Sequence, residues 1–234
     1  MNWQDQTLRG LDILFSLSAV IVALPLLVVV ALVNRFTGEG EVFYTQTRIG
    51  RNGQPFQLLK FATMLKNSPT TGTGTFTVNN DPRILPFGHF LRKTSINELP
   101  QLFHILSGRM SVIGPRPHTP ACYRAYPPEL FAEVTSVRPG LAGLGAIVLR
   151  DEAVLQGDAE DNETVFYDML MPYKGRVDQY AVRRHSVGMY FKIIILTCWK
   201  VIRPESDIVL RWFPDLPRPD AAMLKMFHTD APKE

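Results

Sequence analysis

Arg92-Lys93-Thr94-Ser95-Ile96-Asn97-Glu98-Leu99-Pro100-Gln101-Leu102-Phe103-His104-Ile105-Leu106 is the stretch that decides how this chain is read. Leu99, Leu102, Phe103 and Leu106 stand at i, i+3, i+4 and i+7, the spacing of one apolar helix face. Ser95 or Asn97 can cap its start. Pro100 is tolerated in a first turn, where the N–H groups have no partner within the helix. The start of such a helix is the positive end of its dipole, and with Arg92 and Lys93 beside it the turn suits an anionic phosphate. Glu98 places a carboxylate in the same turn. Ser95-x-x-Glu98 also fits a capping box, a purely local role for both side chains.

The flanks extend the pattern. Upstream stand Gln46-x-Arg48-Ile49-Gly50-Arg51-Asn52-Gly53, Lys60-Phe61-Ala62-Thr63-Met64 and Asp81-Pro82-Arg83. Downstream stand Gly108-Arg109-Met110-Ser111-Val112-Ile113-Gly114-Pro115-Arg116-Pro117 and Arg138-Pro139-Gly140-Leu141-Ala142-Gly143-Leu144. In this order, over most of the chain from about Leu11 to Ile202, the motifs resemble the bacterial monotopic phosphoglycosyl transferases, also called bacterial sugar transferases.

The resemblance implies a reaction: transfer of a phosphosugar from a UDP-sugar to polyprenyl (undecaprenyl) phosphate. UMP is released, Mg²⁺ neutralises the diphosphate, and assembly of a surface polysaccharide or glycoconjugate begins. It also implies roles. Lys60, Arg92 and Arg116 match the family's phosphate-binding cations, and Glu98 matches the second carboxylate of a catalytic dyad, placed to assist Mg²⁺ or proton handling. Arg48, Arg83, Pro115 and Pro117 fall in supporting motifs. Asn97 occupies the position of the family's nucleophilic Asp. A neutral amide can cap a helix or hydrogen-bond a phosphate, but supplies no carboxylate anion for covalent catalysis. Ala62 likewise replaces a basic residue common in the family. Three explanations follow: a variant that binds but turns over poorly, an enzyme working through Glu98 or through direct attack by the lipid phosphate, or a catalytically dead member that binds nucleotide sugar or lipid phosphate in an assembly complex.

Residues 13–34 form an uncharged apolar run of 22, enough to cross a bilayer. Pro25 near its middle predicts a kink. By the resemblance the helix is re-entrant, broken at Pro25, entering and leaving by the cytosolic leaflet; a spanning helix and a buried core helix are the alternatives. The globular part is then expected on the cytosolic face of the inner membrane. The expected fold is α+β: an anchor over residues 1–36, a small mixed catalytic domain over 37–203 with interfacial amphipathic helices, and a Pro-rich tail over 204–234.

Within the domain, residues 41–46 and 56–64 read as strands joined by an Asn52-Gly53 turn, residues 67–80 as a flexible loop, and Gly108 as the stop of the central helix. Residues 123–134 read as a helix whose main part opens at Pro127-Pro128. Pro115 and Pro117 stiffen the backbone around Arg116, preorganising its guanidinium for a diphosphate. Residues 186–202 carry Val187, Tyr190, Phe191, Ile194, Ile195, Cys198 and Ile202 at helical spacing, interrupted by Lys192 and Lys200. That pattern fits a helix lying in the membrane interface or one packed in the core. Loops over residues 67–80 and 147–169 are expected to shape the sugar pocket.

Composition narrows the classes. The chain has 234 residues, 25 basic and 22 acidic, a net charge of +3 too small to argue for nucleic acid. Nine of the basic residues fall among the central motifs, from Arg48 to Arg116, whereas seven acidic residues crowd positions 151–168. Asp151-Glu152 is a second acidic pair, read as part of a solvated loop. Cys122 and Cys198 have neither framework nor metal spacing, which fits a reducing compartment. The partners that the resemblance implies are UDP-sugar, polyprenyl phosphate and membrane lipid; oligomeric state stays open, a homo-oligomer being one option.

Overall fold

The structure, a computed structural model, describes residues 3–71, 81–149, 165–204, 206–220 and 223. It mixes helices with two small sheets, an α+β arrangement with one long apolar helix at its start. Helix α1 (Trp3–Phe36) is followed by strands β1 (Phe43–Ile49) and β2 (Pro55–Phe61), then helix α2 (Pro86–Lys93). A 3-10 turn (Ile96–Gln101) leads into α3 (Leu102–Leu106) and strand β3 (Ser111–Ile113). Helices α4 (Pro120–Tyr123) and α5 (Pro128–Val134) carry the chain to β4 (Gly140–Ala142) and α6 (Leu144–Val148). A π-helical turn (Val165–Leu170) opens α7 (Met171–Arg183), and α8 (Val187–Ile202) and α9 (Ile208–Trp212) complete the order.

β1 and β2 pair antiparallel from Phe43 opposite Phe61 to Ile49 opposite Pro55. Their turn bends where Asn52 and Gly53 take positive φ, 57° and 74°, the conformation that makes Asn-Gly a turn signal. β3 and β4 pair in parallel, Ser111 opposite Gly140 and Ile113 opposite Ala142. Here the backbones nearly touch: a Cβ on Gly140 would lie 2.1 Å from Gly114 N. Only hydrogen side chains let Gly114 N donate to Ala142 O (2.9 Å) and Gly140 N to Pro115 O (2.8 Å).

The central stretch departs from the expected single helix. Its first half winds as the 3-10 turn and only five residues are α-helical. Ser95 sits in the left-handed region (φ 58°) and its side chain caps nothing, so the capping-box reading is corrected. The cause is tertiary: the Glu98 carboxylate is drawn away to two cations instead of turning back on the helix start. The predicted apolar face also shifts. Leu102, His104 and Ile105 are buried, whereas Phe103 is 46% exposed. Gly108 (φ 80°) does end the helix, its N–H bonding to Ile105 O.

α8 is corrected in the same way. Ser186 caps it, accepting from Met189 N. Its buried side is Met189, Tyr190, Ile193 and Leu196, while Phe191, Ile195, Trp199, Val201 and Ile202 are exposed. The helix is apolar nearly all round, so spacing alone could not select the inward face. Most of the core lies between α4–α8, and Val209, Phe213, Leu216 and Met223 of the Pro-rich segment pack into it. Cys122 and Cys198 are free thiols.

α1 runs 34 residues with Pro25 inside it, and is long and apolar enough to cross a membrane. It also docks on the domain near both ends. Arg9 donates to Ile105 O and Leu106 O at the end of α3 (2.6 and 2.8 Å). Buried Asp12 accepts from Ser111 Oγ, Val112 N and Tyr190 OH (2.9, 2.9 and 3.1 Å). At the other end Asn34 Nδ2 donates to Val42 O and Ala62 O (3.2 and 3.0 Å). Between them Leu27 and Val30 form a small core with Phe61 and Leu91.

Candidate active site

The site grows from the turn at Ser95. Its left-handed backbone reverses the chain after α2, and Glu98 N–H bonds back to Ser95 O at 3.1 Å. Glu98 is thereby aimed between β2 and the Pro115–Pro117 turn. One guanidinium nitrogen of Arg116, Nη2, donates to both carboxylate oxygens at 2.8 Å, and Lys60 Nζ donates to Oε1 at 2.9 Å. All three side chains are 22% exposed. Burial by itself would raise the Glu98 carboxyl. The positive charges of Arg116 and Lys60, with their hydrogen bonds, outweigh it and bring the group down to about 2. Lys60 is lowered by burial, with the Glu98 charge acting in the opposite direction.

Arg116 is held from three sides. Pro115 and Pro117 restrict the backbone around it. Its Nη1 donates to Leu141 O, and the Gly114–Gly140 approach fastens the preceding residues to β4. Arg48 braces the far side, donating to Pro117 O at 3.1 Å while its guanidinium is fixed by Gln46 Oε1 at 2.6 and 3.1 Å. Arg48, Pro115 and Pro117 therefore support Arg116 directly. Arg83 does different work. It pairs with Asp81 (2.6 Å) and donates to Ser68 O and Thr71 O, and it lines neither cavity beside Glu98.

Two cavities meet at Glu98. The first, about 590 Å³, lies against β1 and β2 and is lined by Asn97, Arg92, Tyr44, Lys66, Thr63 and others. Asn97 is buried, and among the described residues its amide makes no hydrogen bond. Arg92 likewise has no ion pair or hydrogen bond among them, a cation free to meet an incoming anion. The second cavity, about 510 Å³, lies under α8 and is lined by Arg116, His118, Lys174, Lys200, Ala142 and Val201 among others. Arg48, Lys60, Ser95 and Glu98 line both.

Two features of the second cavity escape a motif search. His118 is buried with Nε2 unpartnered, and burial, then the charges of Lys174, Arg48 and Arg116, push it well below its usual range. Lys174 sits one turn before Asp178, which burial raises to about 6 against the pull of Lys174 and a hydrogen bond from Gly145 N. The i, i+4 spacing of Lys174 and Asp178 was visible, but on a surface helix it is an ordinary pair; only the packing of α7 buries it.

No group of three or more His, Cys, Asp or Glu could hold a metal among the described residues. Mg²⁺ commonly arrives on substrate phosphates and needs only one or two carboxylates from the protein. Glu98, the carboxylate that lines both cavities among the described residues, meets that lesser requirement where substrate phosphates draw Lys60 and Arg116 toward themselves. The Asp151-Glu152 pair, and residues 72–80 and 150–164 of the loops expected to shape the sugar pocket, lie outside the described residues.

A family-wide comparison matches residues 3–204 to the bacterial sugar transferases. The chain belongs to the bacterial sugar transferase family. It is similar to the UDP-glucose:undecaprenyl-phosphate glucose-1-phosphate transferase of Escherichia coli (strain K12), with 32% identity over 196 residues, 82% of this chain and 39% of that protein. It is similar to the exopolysaccharide production protein ExoY of Rhizobium meliloti (strain 1021), with 33% identity over 186 residues, 71% of this chain and 82% of that protein. The exopolysaccharide production protein PSS of Rhizobium leguminosarum bv. phaseoli is 39% identical over 142 residues, 58% of this chain and 70% of that protein. The chain thus spans about two fifths of the Escherichia coli relative.

Proposed function

We propose that this protein transfers a sugar phosphate from a UDP-sugar to undecaprenyl phosphate, releasing UMP, as the first membrane-bound step of an exopolysaccharide or glycoconjugate. The observation that carries this reading is the Glu98 carboxylate clamped by Lys60 and Arg116 where two cation-lined cavities meet. Phosphoryl transfer needs little from a protein beyond positioning and charge neutralisation, and this arrangement offers both. The free Arg92 and the braced Arg116 bracket the place where a diphosphate would lie. The relatives named for transfer onto undecaprenyl phosphate and for exopolysaccharide production support the substrate class.

Mg²⁺ would be held by Glu98 together with the substrate phosphates, supplying charge neutralisation at the diphosphate. The chain's own cations orient the phosphates.

We place the domain on the cytosolic face of the bacterial inner membrane with α1 entering and leaving from that side. A helix crossing the bilayer along its apolar run would carry one end about 30 Å away. Here Arg9 and Asp12 near one end and Asn34 near the other hydrogen-bond to the same domain. The outward residues Leu14, Leu17, Ile21, Val22, Val29 and Leu32 remain for lipid.

The test is UMP release by detergent-purified protein given undecaprenyl phosphate, Mg²⁺ and a panel of UDP-sugars. Release that depends on lipid phosphate and on one UDP-sugar supports the assignment. Nucleotide-sugar binding without release would favour a binding role in an assembly complex.

A further inference from the structure

Among the described residues, every carboxylate that lines the two cavities is held in an ion pair. In the turn that lines the first cavity, Asn97 presents a neutral amide. Its neighbour Glu98 is anionic, but three hydrogen bonds from Arg116 and Lys60 occupy its two oxygens. A carboxylate so neutralised is a poor nucleophile. Glu41, the other carboxylate among the described residues that line the first cavity, is ion-paired to Lys66 at 2.8 Å.

The cavities offer another route. They are adjoining spaces of similar size, lined in common by Arg48, Lys60, Ser95 and Glu98. Each has cations of its own, Arg92 and Lys66 on one side and Arg116, Lys174 and Lys200 on the other. Two anionic substrates could therefore be held at once, their phosphates meeting where the two spaces adjoin. The sides differ in character. The first offers Tyr44 and Phe43 beside Thr63 and Gln46, a mixed polar and aromatic lining suited to a nucleotide. The second opens beside the end of α8, where Val201 is 66% and adjacent Ile202 75% exposed, an apolar rim suited to a lipid tail.

We propose that this chain binds nucleotide sugar and lipid phosphate together, one in each cavity, and transfers the phosphosugar in a single displacement with no covalent enzyme intermediate. This rests on the transfer activity proposed above. A non-bridging oxygen of the lipid phosphate attacks the sugar-bearing phosphorus and forms the new P–O bond with its lone pair. The bond from that phosphorus to the bridging oxygen breaks, and its electron pair leaves on the phosphate of UMP. Attacking and leaving phosphates both act as anions, so the protein need not remove a proton from the attacking oxygen. Lys60, which lines both cavities, and Arg116, which lines the second, face the charge where the two spaces adjoin.

Isotope exchange separates this from a two-step path. The full-length protein in detergent is incubated with its UDP-sugar and radiolabelled UMP, without lipid phosphate. A covalent intermediate would move label into UDP-sugar; a single displacement moves none above background until lipid acceptor is added. Initial rates at varied concentrations of both substrates should give intersecting lines, where a two-step path gives parallel ones. Asn97→Asp supplies the missing carboxylate and is expected to gain acceptor-independent exchange of at least tenfold over the Asn97 protein. Turnover by the Asn97 protein with acceptor-independent exchange and parallel lines overturns the single displacement while leaving the transfer activity intact. Absence of UMP release with every UDP-sugar and acceptor, in protein shown to be folded, overturns the activity and the inference together.

Discussion

Glu98 is worth more in this structure than an isolated surface carboxylate because two cations have been partly withdrawn from water to meet it. Glu98→Gln leaves Lys60 and Arg116 facing each other without their counter-charge. Because the side chains keep 22% of their exposure, the expected loss is about 1–3 kcal/mol, below that of a fully buried pair. UMP release should fall by about 10²-fold or more as the preorganised charge is lost. Denaturant midpoints and turnover of the same preparation check both. Since the folded carboxyl lies at about 2 against an ordinary 4.5, its stabilising contribution is present above pH 4.5 and is lost as pH falls toward 2. Asp178 has the opposite sign. Raised to about 6 from 3.8, it favours the neutral form, so its contribution to stability declines as pH rises between those values. Asp178→Asn keeps an oxygen for Gly145 N–H and should remove that slope, a change on the order of 2–3 kcal/mol between pH 4 and 7, read from denaturant midpoints.

At the scale of elements, the 3-10 turn and α3 are fastened to β2 by a bond that no motif announces. Leu59 N donates to His104 Nε2 at 3.0 Å, so that nitrogen must be unprotonated. Burial, with Arg109 nearby, lowers His104 from its usual 6.5, and this link is lost as pH falls through the lowered value. His104→Gln offers an acceptor that does not titrate; its thermal midpoint should lose less between pH 7 and pH 5 than that of the parent. The β3–β4 contact is the second fastening. Gly140→Ala would place a methyl 2.1 Å from Gly114 N, and backbone cannot yield as a flexible side chain does. Unfolding is expected to be easier by at least 2 kcal/mol, and turnover should fall with it, because Arg116 follows two residues after Gly114.

For the whole molecule, the consequence concerns α1. Its exposed flank is a nearly continuous apolar surface, while Asp12, Ser16 and Asn34 are buried against the domain. Such a helix belongs beside lipid on one side and protein on the other. In spheroplasts, cysteine-labelling sites added before Trp3 and after Phe36 should both be protected from a membrane-impermeant maleimide until the membrane is opened. Labelling of one end alone in intact spheroplasts would mean that α1 crosses. The second cavity, under α8, opens beside the exposed apolar side chains Val201 and Ile202 of that helix.

The sequence alone determined the apolar run, the Asn52-Gly53 turn, the stop at Gly108 and the ordered set of basic motifs, because each depends on local conformational preference or on residue type at fixed spacing. It also showed that Asn97 is no carboxylate. Tertiary structure decided the rest. Whether Ser95 and Glu98 formed a capping box depended on cations more than 17 positions away in the chain, and Lys60 and Arg116 won because they neutralise a charge that a cap would leave in water. The inward face of α8 could not be read from a helix apolar on nearly every side, since only its neighbours choose between equally apolar stripes. The division of the site into two cavities comes from β2, the turn at Ser95 and the Arg116 loop converging on one carboxylate, a meeting of distant segments that no local pattern encodes.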